Sequence, residues 1–237
     1  MNSDALQMVR DLDNDAIVIE PDDRAGALAK WNEARRIAEN EFEREHLPDW
    51  SYIAGYVCYM LFARGACSFD ITETYLVGGL NSSDNHGLAR FLLASLYFET
   101  ERLDPALEQL YNLRENGRRY FESIGQDWRY AKCVEMLVCA HIKKGDWSQA
   151  RTMGSELEIV YRDCPTKSLI PLTLVNSIER SDYRGPEYKD LCLVAARLVR
   201  LTHSENAMFR LFPTFFEKWV RTMGQSREIQ TASCLES

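Results

Sequence analysis

Leu93-Ala94-Ser95-Leu96-Tyr97 is followed, after a short polar turn, by Leu103-Asp104-Pro105-Ala106, and the pattern recurs 44 residues further along the chain. The second copy reads Leu137-Val138-Cys139-Ala140-His141 and then Trp147-Ser148-Gln149-Ala150. Each copy predicts an apolar helix, a turn, and a second helix that opens near a small alanine. A helix pair of this kind cannot bury its apolar face alone, so such pairs stack on their neighbours. The repeat therefore predicts an all-α fold built from stacked antiparallel helix pairs.

The two copies resemble the tetratricopeptide repeat. Its motif places Trp, Leu, Gly and Tyr in the first helix and Ala, Phe, Ala and Pro in the second. In the first copy the Leu, Gly, Tyr and first Ala positions are occupied by Leu93, Ala94, Tyr97 and Ala106. In the second copy Leu137 and Ala150 fit the motif. Small residues at these places let the two helices approach closely, which is the physical content of the motif.

The chain also departs from the family pattern. Val138 and His141 stand at the Gly and Tyr positions, Arg90 and Val134 at the first Trp, and Arg118 and Arg162 at the final Pro. The spacing is 44 residues rather than the 34 of the family, so each helix must be about one turn longer. This longer form is similar to the divergent repeats of bacterial regulatory proteins that sense peptides or partner proteins. Over residues 87–165 the resemblance implies a short right-handed α-solenoid with a concave partner-binding surface and no catalytic residue.

Composition and net charge disfavour some classes of binding partner. The chain has 237 residues, 46% of them hydrophobic and 27% charged, which is typical of a folded globular protein. A net charge of −8 disfavours duplex nucleic acid and anionic membrane surfaces as partners. Residues 1–45 hold 12 Asp and Glu against 6 Lys and Arg, so the acidity is concentrated in the N-terminal segment.

Cysteine usage and the N-terminus indicate a cytoplasmic protein. The seven cysteines include no Cys-x-x-Cys pair, and most stand beside apolar residues, which favours core packing over disulfides or metal. The odd count fits a reducing compartment. The first residues carry no basic and apolar leader pattern, and the apolar run at 53–63 is too short to span a bilayer. Cys234-Leu235-Glu236-Ser237 has the outline of a prenylation box, but Glu236 fits it poorly.

Helical periodicity and turn residues predict five segments within one compact domain. These are an acidic N-terminal segment (1–24), a helical N-terminal cap (25–80), the repeats (87–165), C-terminal helices (166–223) and a frayed tail (224–237). The polar loop 81–87 separates the cap from the repeats. Gly78-Gly79 is expected to stop a short helix, Asp104 to cap the helix that contains Pro105, and Pro213 to kink or split the last helix.

Only one cluster has the outline of a metal site. Asp11, Asp13 and Asp15 fall at positions 1, 3 and 5 of a calcium loop, but Ala16 replaces its glycine and Asp22 its bidentate glutamate. An acidic, solvated segment is the favoured interpretation. The four histidines are scattered, and nucleophile elbows, phosphate-binding glycine loops and His-Glu-x-x-His motifs are missing. The sequence therefore predicts no catalytic residue, metal or cofactor.

One basic and aromatic cluster is a candidate binding site. Its predicted members are Tyr111, Arg114, Arg118, Arg119 and Tyr120, with Trp128 extending it beyond the next turn. Forked guanidinium groups could take a partner's carboxylate or phosphate, and aromatic residues commonly dominate binding energy. The alternative is a solvated helix end whose cations suit the helix dipole.

These observations predict a protein-protein interaction module that binds a peptide or protein partner in a helical-repeat groove, as a regulatory adaptor or chaperone. An alternative is a dedicated inhibitor or immunity protein that neutralises a toxin or enzyme, because an acidic segment speeds capture of a basic target. A second alternative is an all-helical enzyme with an unrecognised site. Neither nucleic acid nor membrane is an expected partner, and the oligomeric state stays open.

Overall fold

Helices form the regular structure of this chain in a computed structural model that describes residues 1–164 and 169–223, and no β-strand occurs in these ranges. The fold is therefore all-α, as predicted. The helices are α1 (Ser3–Ile19), α2 (Arg24–Glu45), α3 (Pro48–Phe62), α4 (Phe69–Gly79), α5 (His86–Glu99), α6 (Leu103–Ser123), α7 (Trp128–Lys144), α8 (Trp147–Asp163), α9 (Leu172–Glu179), α10 (Pro186–Leu201), α11 (Glu205–Leu211) and α12 (Pro213–Phe215), followed by a π-helix (Phe216–Arg221).

The chain divides into two compact units, which we call unit 1 (Met1–Gln109) and unit 2 (Leu110–Ser237). This differs from the single compact domain predicted from the sequence, and the boundary lies inside α6 rather than at the polar loop 81–87. The loop is tied down instead. The Asp49 carboxylate in α3 accepts hydrogen bonds from the Ser82 hydroxyl (2.6 Å) and the Asn85 amide (2.7 Å). It therefore belongs to unit 1 and does not act as a linker.

The acidic N-terminal segment forms a helix, which the sequence did not predict, and only three of its residues are buried. Asn2 caps α1 by accepting from the backbone N–H of Asp4 at 3.2 Å. Ala5, Val9 and Ala16 lie on one face of α1 and are buried within unit 1, where α1 packs against α2. The i, i+4, i+11 spacing was readable in the sequence, but two of the three residues are alanines and give a weak apolar signal.

Asp13 holds three helices of unit 1 together. Its carboxylate accepts hydrogen bonds from the indole Nε1–H of Trp31 in α2 and from the hydroxyl of Tyr56 in α3, both at 2.8 Å. Asp11 instead bonds Gln7 at 2.8 Å, and Asp15 pairs with Lys30 at 3.0 Å. The three carboxylates lie on a regular helix and serve different partners, so they do not form the loop of the calcium alternative.

Helices α3 and α4 pack with almost no space between their backbones. A Cβ at Gly55 would lie 2.9 Å from the backbone nitrogen of Leu76, and one at Gly79 would lie 2.9 Å from the Cα of Tyr52. The helix α4 ends at Gly79, so the glycine pair lies at its end as predicted, with both glycines in its last turn. Gly55 and Gly79 also allow the close approach of α3 and α4.

A buried carboxylate joins three helices of unit 2. Glu135 in α7 is fully buried, and it accepts hydrogen bonds from the Tyr161 hydroxyl in α8 (2.7 Å) and from the backbone N–H of Leu174 (3.0 Å). Leu174 lies in the first turn of α9, so Glu135 satisfies one of the unpaired N–H groups at that helix start. Lys132 supplies the countercharge, with its Nζ 2.5 Å from Glu135.

The helices of the two repeat copies form close to their predicted bounds, as α5 with α6 and α7 with α8. Several motif residues are buried, among them Leu93, Ala94, Ala106, Leu137 and Ala150. The tetratricopeptide resemblance and the solenoid arrangement stay predictions. Asp104 does not cap α6, because the helix begins at Leu103 and the Arg102 carbonyl accepts the first helical hydrogen bond.

Pro213 splits the last predicted helix, which confirms that expectation. The α11 helix ends at Leu211, and α12 starts at Pro213. Residues 165–168 and the tail 224–237, including the prenylation-like box and Cys234, lie outside the described residues. In the ranges that are described, no helix combines the length and the apolar character needed to cross a membrane, and the cysteines there are free thiols.

We predict that Asp13→Ala destabilises the protein by about 2–3 kcal/mol, because it leaves the buried Trp31 indole N–H without an acceptor. The matched control is Asp11→Ala in the same helix, which removes one exposed contact and should cost less than about 0.5 kcal/mol. Urea unfolding followed by circular dichroism measures both. Equal effects of the two substitutions would contradict the assigned role of Asp13.

Candidate functional site

Ion pairs within unit 2 already engage most of the predicted basic cluster. The Arg114 guanidinium lies 2.8–3.0 Å from both carboxylate oxygens of Glu156 in α8, and this contact raises the pKa of Arg114. Arg118 donates to Glu122 at 3.0 Å and to Asp163 at 3.4 Å. Half of each Arg118 and Asp163 side chain is exposed, so this second pair adds little stability. The binding role of the cluster stays a prediction.

The remaining members of the cluster fall into two groups. Arg119 is exposed, and it pairs with no carboxylate in the described part of the chain. Tyr120 contacts the ring of Phe121 edge to face, with centroids 5.3 Å apart, and the Trp128 ring lies under the Arg129 guanidinium at 4.6 Å. Both aromatic side chains are half-buried. Arg119 is thus the cation of this cluster that a partner could reach without displacing an ion pair.

Tyr111 is half-buried and hydrogen-bonds a buried histidine. Its hydroxyl lies 2.7 Å from Nε2 of His141, whose Nδ1 faces an Asp146 carboxylate oxygen at 3.6 Å. We infer that Nδ1 carries the hydrogen, because a lone pair there would face a negative charge, and that Nε2 accepts from Tyr111. Burial lowers the pKa of His141, against the opposing effect of Asp146. The imidazole is 6% exposed, so a substrate could not reach it.

A groove between α8 and α10 has more of the properties of a binding site. One wall presents Arg151, Ser155, Glu158 and Arg162 at helical spacing, and the other presents Asp190, Leu193, Val194, Arg197, Arg200 and Leu201. Two cavities of about 220 and 370 Å³ lie along these walls, and Arg197 lines both. The two helices come close because Gly154 lies against Leu191, where a Cβ would be 2.8 Å from the leucine methyl.

Charges along the groove are unevenly balanced. In the smaller cavity Arg151 pairs with Asp190 at 2.8 Å. In the larger one Glu158 forms a forked pair with Arg197, with two nitrogen–oxygen distances of 2.8 Å, and Arg162 stands 3.8 Å away. Arg200 and His203 also line this cavity, so three arginines and a histidine face a single carboxylate. We call this larger cavity the basic pocket.

Arg200 has an unsatisfied donor. Its Nε is buried from solvent and has no hydrogen-bond partner among the described residues. A buried N–H without an acceptor costs about 1–3 kcal/mol. Because solvent does not reach this nitrogen, a ligand in the cavity would meet the terminal nitrogens of Arg200 instead.

His203 adopts an unusual backbone conformation at the rim of the pocket. Its φ is 53°, in the left-handed region, and it ends α10 with the paired bonds of a Schellman motif. Gly145 has the corresponding position after α7, with φ 77° and no steric penalty. His46 and Glu101 also have positive φ at helix ends, so this strain is not confined to the pocket. His203 differs from them because it lines the cavity.

Sequence reasoning missed this groove. Arg197, Arg200 and His203 are spaced three apart and could have indicated a basic stripe, but Arg162 and Glu158 come from a distant helix. Only packing of α8 on α10 brings the two groups together. The geometry fits an anionic ligand. Groups of three or more potential metal ligands do not occur within residues 1–164 and 169–223.

We predict that His203→Gly stabilises the folded protein by about 0.5–1 kcal/mol. Glycine removes the steric cost of the left-handed backbone conformation, and the greater conformational entropy of glycine in the unfolded chain offsets part of this gain. Glu101→Gly is the matched control, since Glu101 (φ 60°) ends α5 in the same way and lies away from the pocket. Thermal melting measures both variants. Destabilisation by His203→Gly alone would show that the imidazole supports the fold instead.

We predict that protonation of His141 lowers the free energy of unfolding as the pH drops below about 6.5. The unfolded chain binds a proton at His141 near pH 6.5, whereas the folded chain, with its lowered pKa, binds it only at lower pH. The stabilising effect is thus complete above pH 6.5 and is lost as pH falls through the folded pKa. Urea unfolding of wild type and of His141→Gln between pH 5 and 8 tests this. A constant stability difference between the two would contradict it.

Comparison of this chain with models of protein families, with curated proteins and with solved structures finds no match. A function for it has to be argued from its own residues, and the α8–α10 groove is the site that offers the most.

Proposed function

We propose that this chain is a protein-interaction module, a regulatory adaptor or chaperone of the cytoplasm, which holds an acidic segment of a partner protein in the α8–α10 groove. The cluster of Arg162, Arg197 and Arg200 around a cavity whose single carboxylate is Glu158 carries the proposal. An anionic acceptor offsets this excess of positive charge, and charge-assisted bonds of this type are among the strongest that proteins make.

The dimensions of the groove suit a segment of polypeptide. From Arg151 to Arg162 the α8 wall spans 11 residues, which at the helical rise is about 16 Å. An extended peptide of about five residues has this length. The apolar side chains of Leu193 and Val194 line the stretch between the cations. The occupant is thus a short chain with an apolar middle and an acidic end.

Existing ion pairs prepare the groove for binding. Arg197 is fixed by its forked contact with Glu158, and Arg151 by its contact with Asp190. Side chains that are already ordered lose less entropy when a ligand arrives. Arg162 and Arg200 are the cations that a partner can recruit.

The charge of unit 1 favours a second candidate function, a dedicated inhibitor or immunity protein. Unit 1 carries 20 Asp and Glu against 9 Lys and Arg, a net charge of −11, whereas unit 2 carries 16 against 19, a net charge of +3. A strongly acidic unit accelerates encounter with a basic toxin or enzyme, in a salt-dependent way. In this alternative the target docks on unit 1.

We predict that selection from a random 12-residue peptide display library enriches sequences with Asp or Glu next to apolar residues. Arg162→Gln and Arg200→Gln should each weaken the selected peptides by about tenfold or more, because one charge-assisted hydrogen bond is lost. Arg210→Gln is the matched control, since Arg210 is exposed on α11 and outside the groove. Isothermal titration calorimetry measures the affinities.

Two results would overturn the groove proposal. Selected peptides that bind both groove variants and wild type equally would place the site elsewhere. Enrichment of basic peptides whose binding collapses with salt and ignores the groove substitutions would favour the inhibitor alternative.

A further inference from the structure

The residues that line the basic pocket carry an excess of positive charge. Glu158 neutralises one of the guanidinium groups of Arg162, Arg197 and Arg200, so the three arginines and one glutamate carry a net charge of +2. Glu158 bonds Arg197 through both oxygens. The cations that remain for a ligand are therefore Arg162 and Arg200, with the His203 ring beside them.

The chemistry of these donors favours a tetrahedral oxyanion. All the permanent cations that line the pocket are arginines, whose planar forks match carboxylate and phosphate oxygens, whereas lysine would act as a point charge. Arg162, Arg200 and His203 provide three donor groups, which approach from α8, from α10 and from the turn after α10. Donors from three directions suit an acceptor with three oxygens better than a flat carboxylate with two.

We infer that the basic pocket binds the dianion of a phosphate monoester. This inference rests on the proposed function and deepens it, because the phosphate would belong to a phosphorylated residue of the partner segment in the groove. The terminal nitrogens of the Arg200 guanidinium donate to one phosphate oxygen, and Arg162 and His203 bond the others. The pocket, at about 370 Å³, has room for the phosphate and for the side chain that carries it.

The charge balance separates this ligand from an ordinary acidic residue. A phosphate monoester carries about two negative charges at pH 7 and so balances the +2 of the pocket, whereas one carboxylate leaves one positive charge of the pocket unbalanced. His203 fits the same picture. The strained backbone at φ 53° holds the imidazole at the rim, where glycine would be more stable but would supply no donor.

The test uses the full chain and three probes: inorganic phosphate, N-acetyl-phosphoserine amide, and N-acetyl-glutamate amide as the carboxylate control. Calorimetric titration at fixed ionic strength should show binding of both phosphate probes at least about tenfold tighter than the glutamate probe. Arg200→Gln and His203→Gly should each weaken phosphate binding by about fivefold or more. Arg210→Gln and Glu101→Gly should leave it unchanged. Arg162→Gln is the safeguard should Arg200→Gln fail to fold, because the Arg162 side chain is 65% exposed.

The outcomes separate this inference from the proposed function. Phosphate probes that bind no better than the glutamate probe, or that bind the Arg162 and Arg200 variants as well as wild type, overturn the phosphate inference. Acidic peptides that still bind in the groove would then leave the proposed function standing. Phosphoserine amide that binds more tightly than inorganic phosphate supports a phosphorylated partner segment, and equal affinity supports a free phosphorylated ligand. Phosphate binding with no peptide binding would refute the proposed function and keep the anion site.

Discussion

The burial of the Glu135 carboxylate is the constraint on which the geometry of unit 2 depends. Two of its partners are the Tyr161 hydroxyl in α8 and the start of α9, and Lys132 also bonds the Ile170 carbonyl just before α9. A charged group without water requires each of these contacts, because a buried and unpaired carboxylate is very costly. Burial and the nearby Glu135 charge hold the pKa of Tyr161 well above its usual range, so this donor stays protonated.

This arrangement determines where the groove walls stand. Tyr161 directly precedes Arg162, so the contact that satisfies Glu135 also fixes the end of α8 that lines the basic pocket. The α9 helix, positioned by the same carboxylate, packs against both α7 and α10. The contacts of the buried Glu135 carboxylate therefore orient both helices of the groove, α8 directly and α10 through α9. The groove is a consequence of core packing, and its exposed side chains are free to specify a ligand.

Carboxylates have a similar structural role in unit 1. Asp13 accepts from Trp31 and Tyr56, Glu99 from Tyr59 at 2.7 Å, and Glu73 from Tyr97 at 2.7 Å. Each contact lets an aromatic ring be buried or half-buried while its polar atom stays bonded. Some of the carboxylates that suggested a solvated segment therefore also make structural contacts, and because their donors are neutral they keep their negative charge.

The features that could be predicted from the sequence are those set by neighbouring residues, such as helix bounds and helix caps. Helix α2, the bounds of the repeat helices and the split at Pro213 follow from periodicity and turn residues, and Asp146 caps α8 by accepting from the Gln149 N–H at 3.2 Å. The sequence could not predict partners at long range. Arg114 and Arg118 have the pattern of a binding patch until packing places Glu156 and Asp163 opposite them, 42 and 45 residues away. Conversely, Arg162 and Arg200 line one pocket only because α8 packs against α10.

Local rules that fail are informative in this chain. Glycine is the residue expected after a helix that ends in a Schellman motif, and Gly145 follows that rule. His203 and Glu101 both depart from it, at φ 53° and 60°, so the left-handed residue alone does not mark a site. His203 differs from Glu101 because it lines a cavity that holds three arginines and one carboxylate. The imidazole adds a donor there that glycine would not supply, which is explained if an anion binds in the pocket.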